Sequence, residues 1–251
     1  MGMALPGIEM DTCFDIQFFA LTDLGNSREV NEDRYYVQCL DGRFLLMGVV
    51  DGMGGGPAGF AAAETVRQAL ASFEACAPHP EQALAEVIVA AGDALHEFSQ
   101  GHNLLEGMGA TVTAAYLSNG TAYWAHVGDT RFYIFRRGGL IQVTVDQNMA
   151  QLLVEEGSIT ADQARSHPYG SLLDQCVGCP ECEPETGKFP IEKGDLLLLS
   201  SDGLHDAISA RQLADILSSA NHSVEEKARS LVKAALDAGG VDNITVVVAL
   251  V

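Results

Sequence analysis

Three aspartates stand where apolar runs begin or end: Asp51 follows Val49-Val50, Asp202 follows Leu199-Ser200-Ser201, and Asp242 precedes the run from Ile244. A carboxylate at the end of a buried strand is held rigidly yet faces a loop-lined opening. Asp51 and Asp202 are each followed by glycine, Gly52 and Gly203, which lets a backbone carbonyl approach a bound ion without steric conflict. These candidate ligands are all oxygens, which select Mg²⁺ or Mn²⁺ over zinc, and no Cys or His pattern at zinc spacing accompanies them. Taken alone, each aspartate is better read as a turn residue or helix cap. Taken together they point to a divalent-cation site.

The elements that would carry these groups are legible in the hydrophobic pattern. Phe14 to Leu21, Tyr35 to Leu40 and Phe44 to Val50 read as strands, the last ending at Asp51-Gly52. Ala58 to Ala75 and Glu81 to Phe98 show helical spacing, separated by Pro78 and Pro80. Thr111 to Leu117, Ala122 to Val127, Phe132 to Phe135 and Leu140 to Val143 read as an antiparallel meander with turns at Ser118-Asn119-Gly120 and Gly138-Gly139. Capping boxes at Thr160/Gln163, Ser209/Gln212 and Ser223/Glu226 start helices. Leu196 to Leu199 and Ile244 to Leu250 read as buried strands. Strands, then helices, then strands and helices again predict a layered α+β domain. The least regular segment, 166–188, reads as a surface excursion.

With 251 residues, 47% of them hydrophobic, the chain is expected to form a single domain over 1–251. Its 14 Lys+Arg against 34 Asp+Glu give a net charge of -20, which opposes binding to nucleic acid and to anionic membrane. No leader or spanning segment is visible, and Pro6 breaks a myristoylation pattern, so a cytoplasmic location is expected. The six cysteines are read as thiols, because a chain this long without an export signal does not need a disulfide framework.

In order, Arg28-Glu29-Val30-Asn31-Glu32-Asp33, Asp51-Gly52-Met53-Gly54-Gly55, Gly128-Asp129-Thr130-Arg131, Ser201-Asp202-Gly203-Leu204 and Asp242-Asn243-Ile244-Thr245-Val246-Val247 resemble the type 2C metal-dependent serine/threonine protein phosphatases, bacterial members in particular. The resemblance covers nearly the whole chain. It implies a four-layer sandwich of two antiparallel β-sheets flanked by helix pairs, with a flap at about 147–171. It further implies that Asp51 bridges two Mn²⁺ or Mg²⁺ ions, with the Gly52 carbonyl, Asp202 and Asp242 as the other protein ligands. Asp33 and Glu32 would hold metal-bound waters, Asp129 would share a third ion with Asp202, and Arg28 would grip the phosphate. The implied activity is hydrolysis of phosphoserine and phosphothreonine in proteins, by a monomer serving a serine/threonine kinase pathway. The competing reading is a pseudophosphatase that binds phosphoproteins without turnover.

The match is imperfect at several positions. Met53 follows the Asp-Gly pair where some relatives have a histidine, which leaves the general acid unassigned. Asp146-Gln147-Asn148 and Leu173 to Gly178 depart from the family pattern on either side of the flap. Cys176, Cys179 and Cys182 form C-x₂-C-x₂-C, which lacks a fourth ligand; plain thiols are favoured over a zinc site with His167 or a redox-sensitive disulfide. His205 and His126 are read as packing or core-edge residues.

Overall fold

The computed structural model describes residues 11–99, 107–164, 167–180 and 182–251. Residues 1–10, Pro6 included, which make up most of the stretch on which the expectation of no leader rests, lie outside them. Two antiparallel sheets stack on each other. One runs β1 (Asp11–Cys13), β2 (Ile16–Asp23), β11 (Ile244–Leu250), β10 (Leu196–Ser200), β7 (Arg131–Arg136), β8 (Gly139–Gln142). The other runs β3 (Asp33–Leu40), β4 (Phe44–Met53), β5 (Gly109–Ser118), β6 (Thr121–Val127), β9 (Glu185–Pro190).

The central strands are apolar without interruption because both of their faces are covered. On β4, Leu46 and Val50 pack outward under the helices α1 (Pro57–Leu70) and α2 (Pro80–Ser99), while Leu45, Met47 and Val49 pack inward against the opposite sheet. On β11, Val246 and Val248 face the helices α6 (Ala210–Leu217) and α7 (Val224–Asp237), while Val247 and Ala249 face inward. The result is four layers with three apolar interfaces, and each fully buried valine or leucine adds about 1.5–3 kcal/mol. Both α6 and α7 begin with the expected reciprocal capping boxes, at Ser209/Gln212 and Ser223/Glu226.

Several expectations need correction. Strand β4 does not stop before Asp51 but runs through Asp51-Gly52-Met53, paired to β5 throughout. The stretch from Thr111 to Val143 is two hairpins rather than one meander, because the chain crosses from one sheet to the other between β6 and β7. Gly128, at φ +99, makes that crossing, and β7 then pairs with β10. The segment 166–188 is not wholly superficial: Cys176 and Val177 are buried, and Val177 bridges to Ala110. That segment also leads into β9, an edge strand whose polar sequence Glu185-Thr-Gly-Lys-Phe-Pro190 carries no apolar run.

The cysteines are not all thiols. Cys13 and Cys39 are bridged, with Cα atoms 5.5 Å apart, because β1 and β3 form neighbouring edges of the two sheets. Cys176 and Cys179 are bridged as well, leaving Cys76 and Cys182 free. Among the described residues no helix is long and apolar enough to cross a membrane.

Candidate metal centre

The ladder between β3 and β4 sets Asp33 directly opposite Asp51, and Asp51 in turn faces Thr111 on β5. Two carboxylates at adjoining positions of one sheet repel each other, so a compensating charge is called for. The other sheet supplies the remaining acids. Ser201 follows β10, and its hydroxyl donates to Asp33 Oδ2 at 2.7 Å while accepting from the Thr245 amide at 2.9 Å. One hydroxyl thereby joins the two sheets beside the acidic cluster. Asp202 comes next, at the start of α5 (Asp202–His205).

Gly203 fixes where Asp202 and Asp242 lie relative to each other. A Cβ there would sit 2.0 Å from the Asn243 carbonyl oxygen and 3.4 Å from Asp242 Cβ, so only glycine allows this approach. Gly52 is similarly confined, with a Cβ falling 2.0 Å from the Gly59 carbonyl oxygen. Asn243 pins the opposite rim: its Oδ1 accepts from the Glu32 amide at 2.8 Å, and its Nδ2 donates to the carbonyls of Leu24 and Val30. The motifs quoted from the sequence contain Ser201 and Asn243 but give them no role. The available signal was polar residues beside the candidate ligands in otherwise apolar runs.

Arg28, Asp33, Asp51, Asp202 and Asp242 lie close enough together for their charges to perturb one another. Arg28 Nη2 donates to Asp242 Oδ2 at 2.6 Å, which places a cation at the rim. Glu32 is differently engaged: Oε1 accepts from the Gly56 amide at 2.5 Å, and Oε2 lies 1.8 Å from where a Gly59 Cβ would stand. Its carboxylate braces the glycine loop before α1. Asp129, in the turn between β6 and β7, is buried beside the same cluster. Arg131 pairs with Asp146 through Nε and Nη2, at 2.7 and 2.5 Å, leaving Asp129 outside that ion pair.

The electrostatics show how closely these groups crowd. Loss of solvation, followed by the charges of Asp33, Asp202, Asp129 and Asp242, pushes the Asp51 carboxyl well above the ordinary range. Asp202 rises in the same sense, from desolvation and then Asp129, Asp242 and Asp33. Desolvation raises Asp33 to about 6 against its bonds to Ser201 and Thr245, and raises Asp129 to about 7 with help from Asp146 and Asp206. A divalent cation reverses this logic by favouring every ionised form. Among the described residues no three Asp, Glu, His or Cys groups converge tightly enough to enclose an ion unaided. The donors present are nonetheless all oxygens, a set that fits Mg²⁺ or Mn²⁺.

The segment 147–171, where a flap is expected, holds α3 (Met149–Glu155) and the single turn α4 (Ala161–Ala164), with Asn148 capping α3. Gln147 ties its base to the Asp129 turn: its amide donates to the Gly128 carbonyl at 2.7 Å, and its Oε1 accepts from the Gly128 amide at 2.8 Å. His126 is fully interior rather than at the core edge, bonded to Thr113 Oγ1 and to the Val145 carbonyl, and burial lowers its pKa to about 4. His205 is partly buried, and its Nδ1 lies 3.1 Å from Ser200 Oγ.

A four-layer α+β sandwich that brings aspartates from both sheets together defines the class of metal-dependent phosphatase folds. Residues 26–238 match the family model "Protein phosphatase 2C", and the chain belongs to that family. It is 37% identical over 236 residues to the serine/threonine protein phosphatase PstP of Mycobacterium tuberculosis, covering 93% of this chain but only 45% of PstP, so it spans about half the length of that relative. It is 32% identical to the protein phosphatase PhpP of Streptococcus pneumoniae, covering 90% of this chain and 94% of PhpP. The crystal structure of the M. tuberculosis phosphatase PstP/Ppp superposes with a TM-score of 0.86 at 36% identity, covering 94% of this chain and 98% of that one. A structure of the PstP catalytic domain in complex with two manganese ions gives a TM-score of 0.83 at 34% identity, covering 94% and 97%.

Proposed function

We propose that this chain is a single catalytic domain that hydrolyses phosphoserine and phosphothreonine in proteins with the help of Mn²⁺ or Mg²⁺. The observation that carries the reading is the mutual proximity of Asp33, Asp51, Asp129, Asp202 and Asp242, drawn from both sheets of a protein phosphatase 2C fold. Asp51, the Gly52 carbonyl, Asp202 and Asp242 would hold two ions; Asp33 would orient water beside them, and Asp129 with Asp202 would take a third ion. When bound, such ions would supply Lewis acidity, lowering the pKa of bound water to about 7 and offsetting phosphate charge.

The chain's own groups do the rest. Arg28, half-exposed at the rim, exchanges its bond to Asp242 for a bidentate grip on phosphate oxygens, which orients phosphorus for in-line attack. Ser201 keeps the Asp33 carboxylate aimed by donating to one of its oxygens, and Met53 contributes no proton. Substrates are phosphorylated proteins of a serine/threonine kinase pathway, met by a cytoplasmic monomer.

The test is phosphate release from a phosphothreonine peptide with Mn²⁺, Mg²⁺ or EDTA, using the wild type and Asp202→Ala. Metal-dependent turnover that disappears in the variant is expected. Binding of metal and peptide without release of phosphate would overturn the enzyme reading in favour of a pseudophosphatase.

A further inference from the structure

We propose that Cys176 and Cys179 form a reversible dithiol/disulfide site, and that its redox state sets how firmly the return limb of the flap is held against the metal-bearing strands. The inference about thiol chemistry stands on its own geometry; its consequence for turnover rests on the phosphatase reading.

The bridge closes a loop of only four residues, so it restrains the unfolded chain far less than the Cys13–Cys39 bridge, whose partners are 26 residues apart. Its two sulfurs also differ in access. Cys176 is buried, at 4% exposure, whereas Cys179 lies at the surface. An incoming thiolate therefore reaches Cys179 first and expels Cys176.

What the bridge holds explains why its state matters. Next to Cys176, Val177 exchanges both backbone hydrogen bonds with Ala110, at 3.0 and 2.8 Å, and Ala110 is the ladder partner of Gly52. A Cβ on Gly109 would stand 3.1 Å from both Cys176 Sγ and Met53 Cε, so the buried sulfur packs beside the Asp51-Gly52-Met53 segment. On the other side, the Asp174 amide donates to the Gln147 carbonyl at 2.9 Å, and Gln147 clasps Gly128 beside Asp129. The short segment 174–179 thus connects the flap base, the Asp129 turn and the strand of Asp51. A third cysteine, Cys182, is free and packs against the outer core, and burial pushes its thiol up, so it competes poorly for the bridge.

The chemistry balances with a dithiol as reductant. One thiolate of the dithiol attacks Cys179 Sγ, the Cys176–Cys179 bond breaks, and Cys176 leaves and takes a proton. The second thiolate of the dithiol then attacks its own sulfur in the mixed disulfide and releases Cys179, which is protonated. The dithiol ends as a disulfide, and the protein has gained two electrons and two protons. The oxidised dithiol reverses the sequence.

The experiment equilibrates the full chain in buffers of reduced and oxidised dithiothreitol at graded ratios, followed by alkylation and peptide mass spectrometry, with hydrogen exchange on the same samples. The Cys176–Cys179 pair should interconvert reversibly at ratios that leave Cys13–Cys39 intact. Exchange at the Asp174 and Val177 amides should rise at least 3-fold on reduction, and the Mn²⁺ concentration for half-maximal turnover should rise by a similar factor. Cys179→Ser, altered at an exposed position, should show the reduced-state exchange in every buffer. Alkylation of both thiols under fully oxidising conditions, or reduction without any change in exchange at Asp174 and Val177, would overturn the proposal. Absence of turnover in both redox states would instead sink the phosphatase reading and leave the thiol result to decide this one.

Discussion

Arg28 and Asp242 are 214 residues apart in sequence, yet their side chains meet at 2.6 Å across the mouth of the acidic cleft. A cation held on a candidate ligand is well placed to pass to an incoming phosphate. Arg28→Ala should lower kcat/KM about 10- to 100-fold, the equivalent of the roughly 1.5–3 kcal/mol of a charge-assisted hydrogen bond. Titration calorimetry should find Mn²⁺ affinity little changed. An equal loss of metal affinity would show that Arg28 only supports Asp242.

Gly203 and Gly55 offer a contrast. A methyl group at Gly203 collides with the Asn243 carbonyl, whereas Gly55, at φ +75, has nothing within 4 Å. Gly55→Ala should cost about 1 kcal/mol of backbone strain. Gly203→Ala should cost at least ~3 kcal/mol and weaken Mn²⁺ binding as well, because Asp202 and Asp242 are pushed apart. Urea unfolding in EDTA and calorimetry would measure the two effects separately.

His126 makes the fold acid-sensitive. Its pKa falls from an ordinary 6.5 to about 4 through burial, so between those values the unfolded chain binds a proton that the folded chain refuses. The stability it permits is intact above pH 6.5 and is lost as pH falls, by on the order of 3 kcal/mol by pH 4. In His126→Gln that part of the slope should vanish. Identical urea midpoints against pH in the two proteins, once offset, would refute the assignment.

Asp33 faces Asp51 across the ladder, and without a cation that pairing is repulsive. Asp33→Asn keeps an acceptor for the Ser201 hydroxyl while removing one charge. In EDTA at pH 8 it should be more stable than the wild type by up to about 1 kcal/mol. The thermal shift produced by Mn²⁺ should shrink. Lower stability in EDTA would mean that the Ser201 bond needs the full charge.

The net charge of -20 should steer basic substrates. At low salt, kcat/KM for a phosphopeptide flanked by arginines should exceed that for one flanked by glutamates, with the gap closing at high salt. Equal values at low salt would remove electrostatics from substrate choice.

Much of this molecule could be read before folding. The runs at Phe44 to Val50, Leu196 to Leu199 and Ile244 to Leu250 announced buried strands because both faces of each are covered. Capping boxes located α6 and α7 because reciprocal bonds need particular residues at fixed spacing. Strand β9 was hidden because only Phe189 of its side chains packs on the apolar core, while its pairing to β6 runs through a polar, largely exposed sequence. The switch of sheets after Val127 was hidden too, since a hairpin and a crossover can use the same glycine turn. At the site, the aspartates were legible from their types and positions. The roles of Ser201 and Asn243 depend on contacts spanning 168 and 211 residues, which no local pattern encodes. The Cys13–Cys39 bridge was missed for the same reason, as two sheet edges had to be placed side by side first.

The carboxylates come from both sheets, Asp33 and Asp51 from one and Asp202 and Asp242 from the ends of strands in the other. An ion bound among them would therefore act as a rivet joining the two sheets at the strand ends. At a free concentration 100 times its Kd, each such ion adds about 2.7 kcal/mol to folding, a large share of the margin of an ordinary domain. Ion supply would then govern the lifetime of each copy, and starvation for divalent metal would thin the population of the protein itself.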